Sequence, residues 1–100
     1  MSEFTEGPWE VFENDDELMV IQSGSLESGH GWVGYLKIAT ELQGVEDARL
    51  IAAAPELLEA CLRMRNQLYA AGYEAEKGSL NPTKCLLAQV ESAIAKALGK

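Results

Sequence analysis

The chain has 100 residues, 47% of them hydrophobic and 24% charged, and a net charge of −8. That length supports one modest hydrophobic core, and the composition excludes a disordered chain. No run of about 18 apolar residues occurs, which excludes a membrane-spanning helix, and the acidic start Met1-Ser2-Glu3-Phe4-Thr5-Glu6 is unlike a secretory signal. The expected location is the cytoplasm, where Cys61 and Cys85 stay reduced.

The charge is uneven. Residues 1–47 carry eleven acids against Lys37 alone, a balance of −10, whereas residues 48–100 carry five acids and seven bases. An acidic half repels phosphate backbones, which argues against nucleic-acid binding. It suits a basic partner surface or mimicry of nucleic acid, and its simplest reading is a solvated face that keeps the chain soluble.

The first forty residues predict strands. Trp9-Glu10-Val11-Phe12 alternates, then breaks at the turn-rich Glu13-Asn14-Asp15-Asp16, and Leu18-Met19-Val20-Ile21 returns. This pattern predicts a hairpin with a loop of four or five residues. Ser23-Gly24-Ser25 bounds it, Glu27-Ser28-Gly29-His30-Gly31 reads as a second loop, and Trp32 to Ile38 supplies a third strand with Gly34 as a bulge or a site of close approach.

From Val45 the apolar period changes to that of a helix, with Glu46 and Asp47 where a helix N-terminus favours acids. Pro55 lacks an amide proton and should kink that helix or start a new one. The pattern then runs to about Ala71, with Gly72 as its stop and Leu57, Leu58, Cys61, Leu62, Met64, Leu68 and Tyr69 as its expected buried stripe. After a polar connector, Asn81-Pro82 starts a last helix that ends near Leu98-Gly99. Its expected apolar face is Leu86, Leu87, Val90, Ile94 and Leu98.

These elements predict the α+β class: a small antiparallel N-terminal sheet of about three strands, then an antiparallel helical hairpin with a short or kinked leading helix. Residues 1–100 read as a single domain, with 1–42 β-rich and 45–100 helical. A sheet this thin with two or three helices often covers an apolar face with a second subunit, so a homo-oligomer through the helices is expected.

Two stretches carry a family likeness. Gly7-Pro8-Trp9-Glu10-Val11 and the central Asp47-Ala48-Arg49-Leu50-Ile51-Ala52-Ala53-Ala54-Pro55-Glu56-Leu57-Leu58-Glu59-Ala60 resemble a group of small phage and prophage proteins. Members open on G-P-W and share a core close to N-A-R-L-I-A-A-A-P-E-L-L-E-A; Asp47 stands where Asn is more usual. Ala93-Ile94-Ala95-Lys96-Ala97 is similar to that group's last helix. The resemblance implies phage origin, a location in the bacterial host cytoplasm and this layout, and it assigns no catalytic residue.

The residues themselves suggest little catalysis. His30 is the single histidine and sits between glycines, so a His-based zinc site or a Cys-His nucleophile lacks partners. Cys61 and Cys85 fall near apolar stripes and read as core residues. No phosphate loop, dinucleotide fingerprint or paired C-x-x-C occurs. Asp15-Asp16-Glu17 has the ligand type for a hard cation, though turn solubility accounts for it equally. No catalytic residue, cofactor or metal is therefore expected, and the chain is read as a non-enzyme.

Arg49, Arg63 and Arg65 are the candidate ligand-binding cations, since guanidinium groups hold phosphate or carboxylate with two parallel bonds. For Arg49 an intrahelical pair with Glu46 is the simpler expectation. Trp9 and Trp32 read as aromatics facing each other across the sheet, or as a stacking platform if exposed beside an arginine. Three functions fit: a phage accessory protein that binds and modulates a host protein, for counter-defence or host takeover; an oligomeric sponge for a nucleotide signal; and an assembly protein without a ligand.

Overall fold

The structure, a computed structural model, describes residues 4–100, apart from the side chains of Ser28 and Trp32. The chain is α+β and forms two compact units, Met1–Glu56 and Leu57–Lys100. No helix among the described residues is long and apolar enough to cross a membrane.

In the first unit, β1 (Trp9–Asn14) and β2 (Glu17–Gln22) form a hairpin whose closing pair is Asn14 and Glu17. The loop is shorter than the sequence suggested: only Asp15 and Asp16 turn the chain, at φ +50° and +64°. Two left-handed residues in succession give the reversal whose twist matches that of the flanking strands. Next, β3 (Glu27–Gly29) and β4 (Trp32–Gly34) pair with each other alone, and β5 (Lys37–Leu42) returns to the main sheet, whose order is β1-β2-β5, all antiparallel.

The expected third strand over Trp32 to Ile38 is therefore corrected. Gly31, at φ +83°, lets the chain reverse at once, so the segment read as a loop supplies a strand and Trp32–Gly34 is spent on its own small hairpin. The irregularities lie in β5 and not at Gly34: Leu18 pairs with Leu42, Val20 with Ala39 and Ile21 with Lys37, so each of the two steps leaves one extra residue on β5. Glu41, at φ +57°, lies in the first.

Three successive residues of β2, Met19, Val20 and Ile21, are fully buried, so both faces of this central strand are covered. Phe12 lies opposite Met19 on one face, and the Tyr35 ring packs on Phe12 with centroids 5.1 Å apart. Helix α1 (Val45–Ala52) packs on β1, β2 and β5 and buries Ala48. It ends where the Ala53 amide donates to the Arg49 carbonyl at 3.0 Å. Helix α2 (Ala54–Ala70) then restarts with Pro55 in its first turn, where a missing amide proton costs nothing.

In the second unit α2 continues and α3 (Pro82–Ala97) runs antiparallel to it. Asn81 caps α3 by accepting a hydrogen bond from the Thr83 amide at 2.9 Å. Both helices close alike. Gly72 (φ +93°) and Gly99 (φ +75°) allow Tyr73 to donate to Leu68 and Lys100 to Ala95, satisfying carbonyls of the last turn.

Leu87, Val90 and Ile94 form the buried stripe of α3. The wider stripes expected from periodicity are corrected. Leu86 is exposed, and Cys85, two residues before Leu87 and so on the opposite side of the helix, is exposed as well. Along α2 no residue is buried: Leu57, Met64 and Tyr69 are exposed and Cys61 is half-buried.

Candidate functional site

The acidic character concentrates on the first unit. Between residues 4 and 56 stand eleven carboxylates against Lys37 and Arg49. All but Glu17 are exposed. The three ion pairs found among the described residues, Arg63–Glu59 at 3.1 Å, Arg65–Glu91 at 3.5 Å and Lys84–Glu76 at 3.5 Å, all fall in the second unit. Among the described residues the first unit thus presents ten exposed carboxylates, none in an ion pair, while the second unit pairs three of its own.

The β1–β2 hairpin gives that charge a shape. Glu13, Asp15 and Asp16 occupy its tip, and the Glu17 side chain is fixed by accepting the Glu41 amide at 3.2 Å. Tyr35 braces the hairpin by accepting from Asn14 Nδ2 at 3.1 Å, and Lys37 Nζ stands 5.8 Å from the Tyr35 ring centre. No local pattern marks this role of Tyr35, because its partners across the hairpin, Asn14 and Phe12, lie 21 and 23 positions away. Glu46 and Asp47 add charge in the first turn of α1, where the helix dipole favours it, and Gly44, not Asp47, is the N-cap. Among the described residues no three His, Cys, Asp or Glu side chains gather as metal ligands.

The arginines singled out from the sequence divide between the two units. Arg49 belongs to the first unit and Arg63 and Arg65 to the second. Arg49 is exposed, and among the described residues no carboxylate lies within ion-pair distance, so the expected bond to Glu46 is not made. Arg63 and Arg65, two positions apart on one helix, project to opposite sides, each engaged by a carboxylate of its own unit.

Trp9 is half-buried in β1. It donates Nε1–H to the Thr5 carbonyl at 3.2 Å and meets Phe4 edge-on with centroids 6.4 Å apart. Trp32 belongs to the small β3–β4 sheet, so the two tryptophans do not face each other across one sheet, and the Trp32 side chain lies outside the described residues. His30 is exposed in the β3–β4 turn.

The two motif stretches meet in the first unit. Gly7 lies so close to Pro55 that a β-carbon on Gly7 would stand 2.7 Å from Pro55 Cβ. Fold and surface together define a small acidic α+β protein of two units, with unpaired carboxylates on the sheet unit. The chain belongs to the phage protein family described as Salmonella phage P22 protein Y8K6, whose family model matches residues 1–100. No curated protein and no solved structure matches it.

Proposed function

We propose that this phage protein works by binding, with the acidic sheet unit docking on a basic surface of a host protein and modulating it. The observation that carries the reading is the segregation of charge: eleven carboxylates between residues 4 and 56, none ion-paired among the described residues. Unpaired like charges repel one another and oppose folding, so retaining them fits a surface whose neutralising charges come from a partner. The hairpin tip, an exposed two-residue turn bearing Asp15 and Asp16, is the element best suited to lead the contact. A nucleotide-sponge role draws less support, because Glu59 and Glu91 engage Arg63 and Arg65.

The test is affinity capture from host lysate on the immobilised protein, followed by binding measurements with the purified partner. A host protein with a basic surface should be retained at about 0.05 M salt and released near 0.5 M. The triple variant Glu13→Lys, Asp15→Lys, Asp16→Lys should lose it. Retention of the same partner by the triple variant, or no specific partner at all, would overturn the reading.

A further inference from the structure

We propose that the open edge of β1 gives the docking contact its form, with an extended basic segment of the partner pairing on it as a fourth strand of the sheet; this rests on the acidic docking surface proposed above. β1 is one of the two edges of the β1-β2-β5 sheet. Gln22, opposite Trp9, donates its amide away from β1 to the Leu36 carbonyl at 3.0 Å, and the next residue, Ser23, donates to the Pro8 carbonyl at 2.9 Å. Backbone direction alternates along an antiparallel strand, so Glu10, Phe12 and Asn14 bond to β2 while the amides and carbonyls of Trp9, Val11 and Glu13 face outward. Among the described residues no strand or loop bonds these outward groups.

The two edges of the sheet differ. β1 keeps an unbroken register with β2 from Trp9 to Asn14. β5 breaks register twice, and Glu41 within it takes φ +57°, the kind of irregularity that keeps an edge from pairing further. A regular edge offers its backbone as a template, and main-chain hydrogen bonds to it then supply affinity.

Charge selects the occupant. Residues 6–16 carry Glu6, Glu10, Glu13, Asp15 and Asp16 and no base. A second copy of β1 would bring the same acids alongside, so like charge opposes self-pairing, whereas a basic segment is attracted. Glu10 and Glu13 are both exposed and stand three positions apart, hence on opposite faces of the sheet. Val11 and Phe12 between them are half-buried. The complementary segment therefore carries two bases separated by two apolar residues, one base over each face.

The probe is the end-capped peptide Thr-Lys-Val-Val-Lys-Thr, whose order is the same in either strand direction, titrated into the full chain at about 0.05 M salt. Amide hydrogen exchange followed by NMR should slow about tenfold at Trp9, Val11 and Glu13 near saturation, with the already bonded Glu10 and Phe12 little changed. Methylating the backbone nitrogens of both valines keeps the charge but removes a donor from each edge of the peptide, and should weaken binding about tenfold or more. The exposed double change Glu10→Lys with Glu13→Lys should lose this peptide and take up Thr-Glu-Val-Val-Glu-Thr instead. Binding that leaves the three amides unprotected, or equal binding of the methylated peptide, overturns strand addition and leaves charge-led docking standing. A peptide that does not bind also overturns strand addition, and host docking falls only if capture from lysate fails as well.

Discussion

Gly7 rests against the Pro55 ring, with room for a hydrogen but not for a methyl group: an added β-carbon would lie 2.7 Å from Pro55 Cβ and 3.0 Å from Pro55 Cγ. The contact joins the segment leading into β1 to the point where α1 gives way to α2. Pro55 is stiff and half-buried, so it cannot swing aside as a long side chain would. Gly7→Ala should therefore destabilise the protein by about 1–3 kcal/mol, as overpacking does elsewhere. Thermal unfolding followed by circular dichroism checks this, and an unchanged midpoint would show that the segment can shift at no cost.

Tyr69 ties α2 to α3 by donating its phenolic proton to Glu91 Oε2 at 3.0 Å, while Arg65 meets Oε1 at 3.5 Å. The hydrogen bond to Glu91 holds the Tyr69 phenol above its ordinary pKa of 10.0; burial and the Glu91 charge act in the same direction and Arg65 opposes them. A pKa raised in the folded state means that the unfolded chain loses this proton first as pH rises. The contribution is complete below the ordinary value and disappears as pH climbs through the raised one. Urea midpoints measured from neutral pH upward should fall above pH 10 in the wild type, and Tyr69→Phe should flatten that part of the profile. An identical alkaline limb in both proteins would assign the loss to other groups.

Helix boundaries were the most legible part of the fold because the residues that set them act locally. Asn81 caps α3 through its own side chain, Pro55 can sit only in a first turn, and Gly72 and Gly99 take the left-handed conformation that closes each helix. What escaped the sequence depends on distant partners. Lys37–Leu42 pairs with β2 only through two register shifts, one of them at Glu41, and Trp32–Gly34, the more apolar segment, is diverted into a separate hairpin by Gly31. Periodicity identified the apolar side of α2, yet what covers that side is a tertiary property that spacing does not encode. Acidity was visible as a count. That it stands unpaired on one unit is a matter of tertiary placement, since the three ion pairs among the described residues all lie on the other.

The Asn81 cap offers a simple local check. Asn81→Ala removes the acceptor for the Thr83 amide and should cost about 1 kcal/mol. Asn81→Asp keeps an acceptor and adds charge favourable to the helix dipole, so it should unfold at or above the wild-type midpoint. Equal losses in both variants would mean that Asn81 acts through its neighbours and not through the cap.

The hairpin tip sets stability against binding. Asp15 and Asp16 hold φ of +50° and +64°, a region costing roughly 1–2 kcal/mol for a residue with a β-carbon and little for glycine. They are also adjacent like charges at an exposed turn. Asp16→Gly relieves both effects and gives the Asp-Gly pair that this turn favours, offset in part by the greater freedom of glycine in the unfolded chain. A net gain of about 1 kcal/mol is expected in urea unfolding. If the tip leads the contact with a basic host surface, the same variant should bind that partner several-fold more weakly while being the more stable protein. Weaker binding with higher stability would place the strained acidic turn in the docking surface; unchanged binding would move the contact to carboxylates elsewhere on the sheet unit.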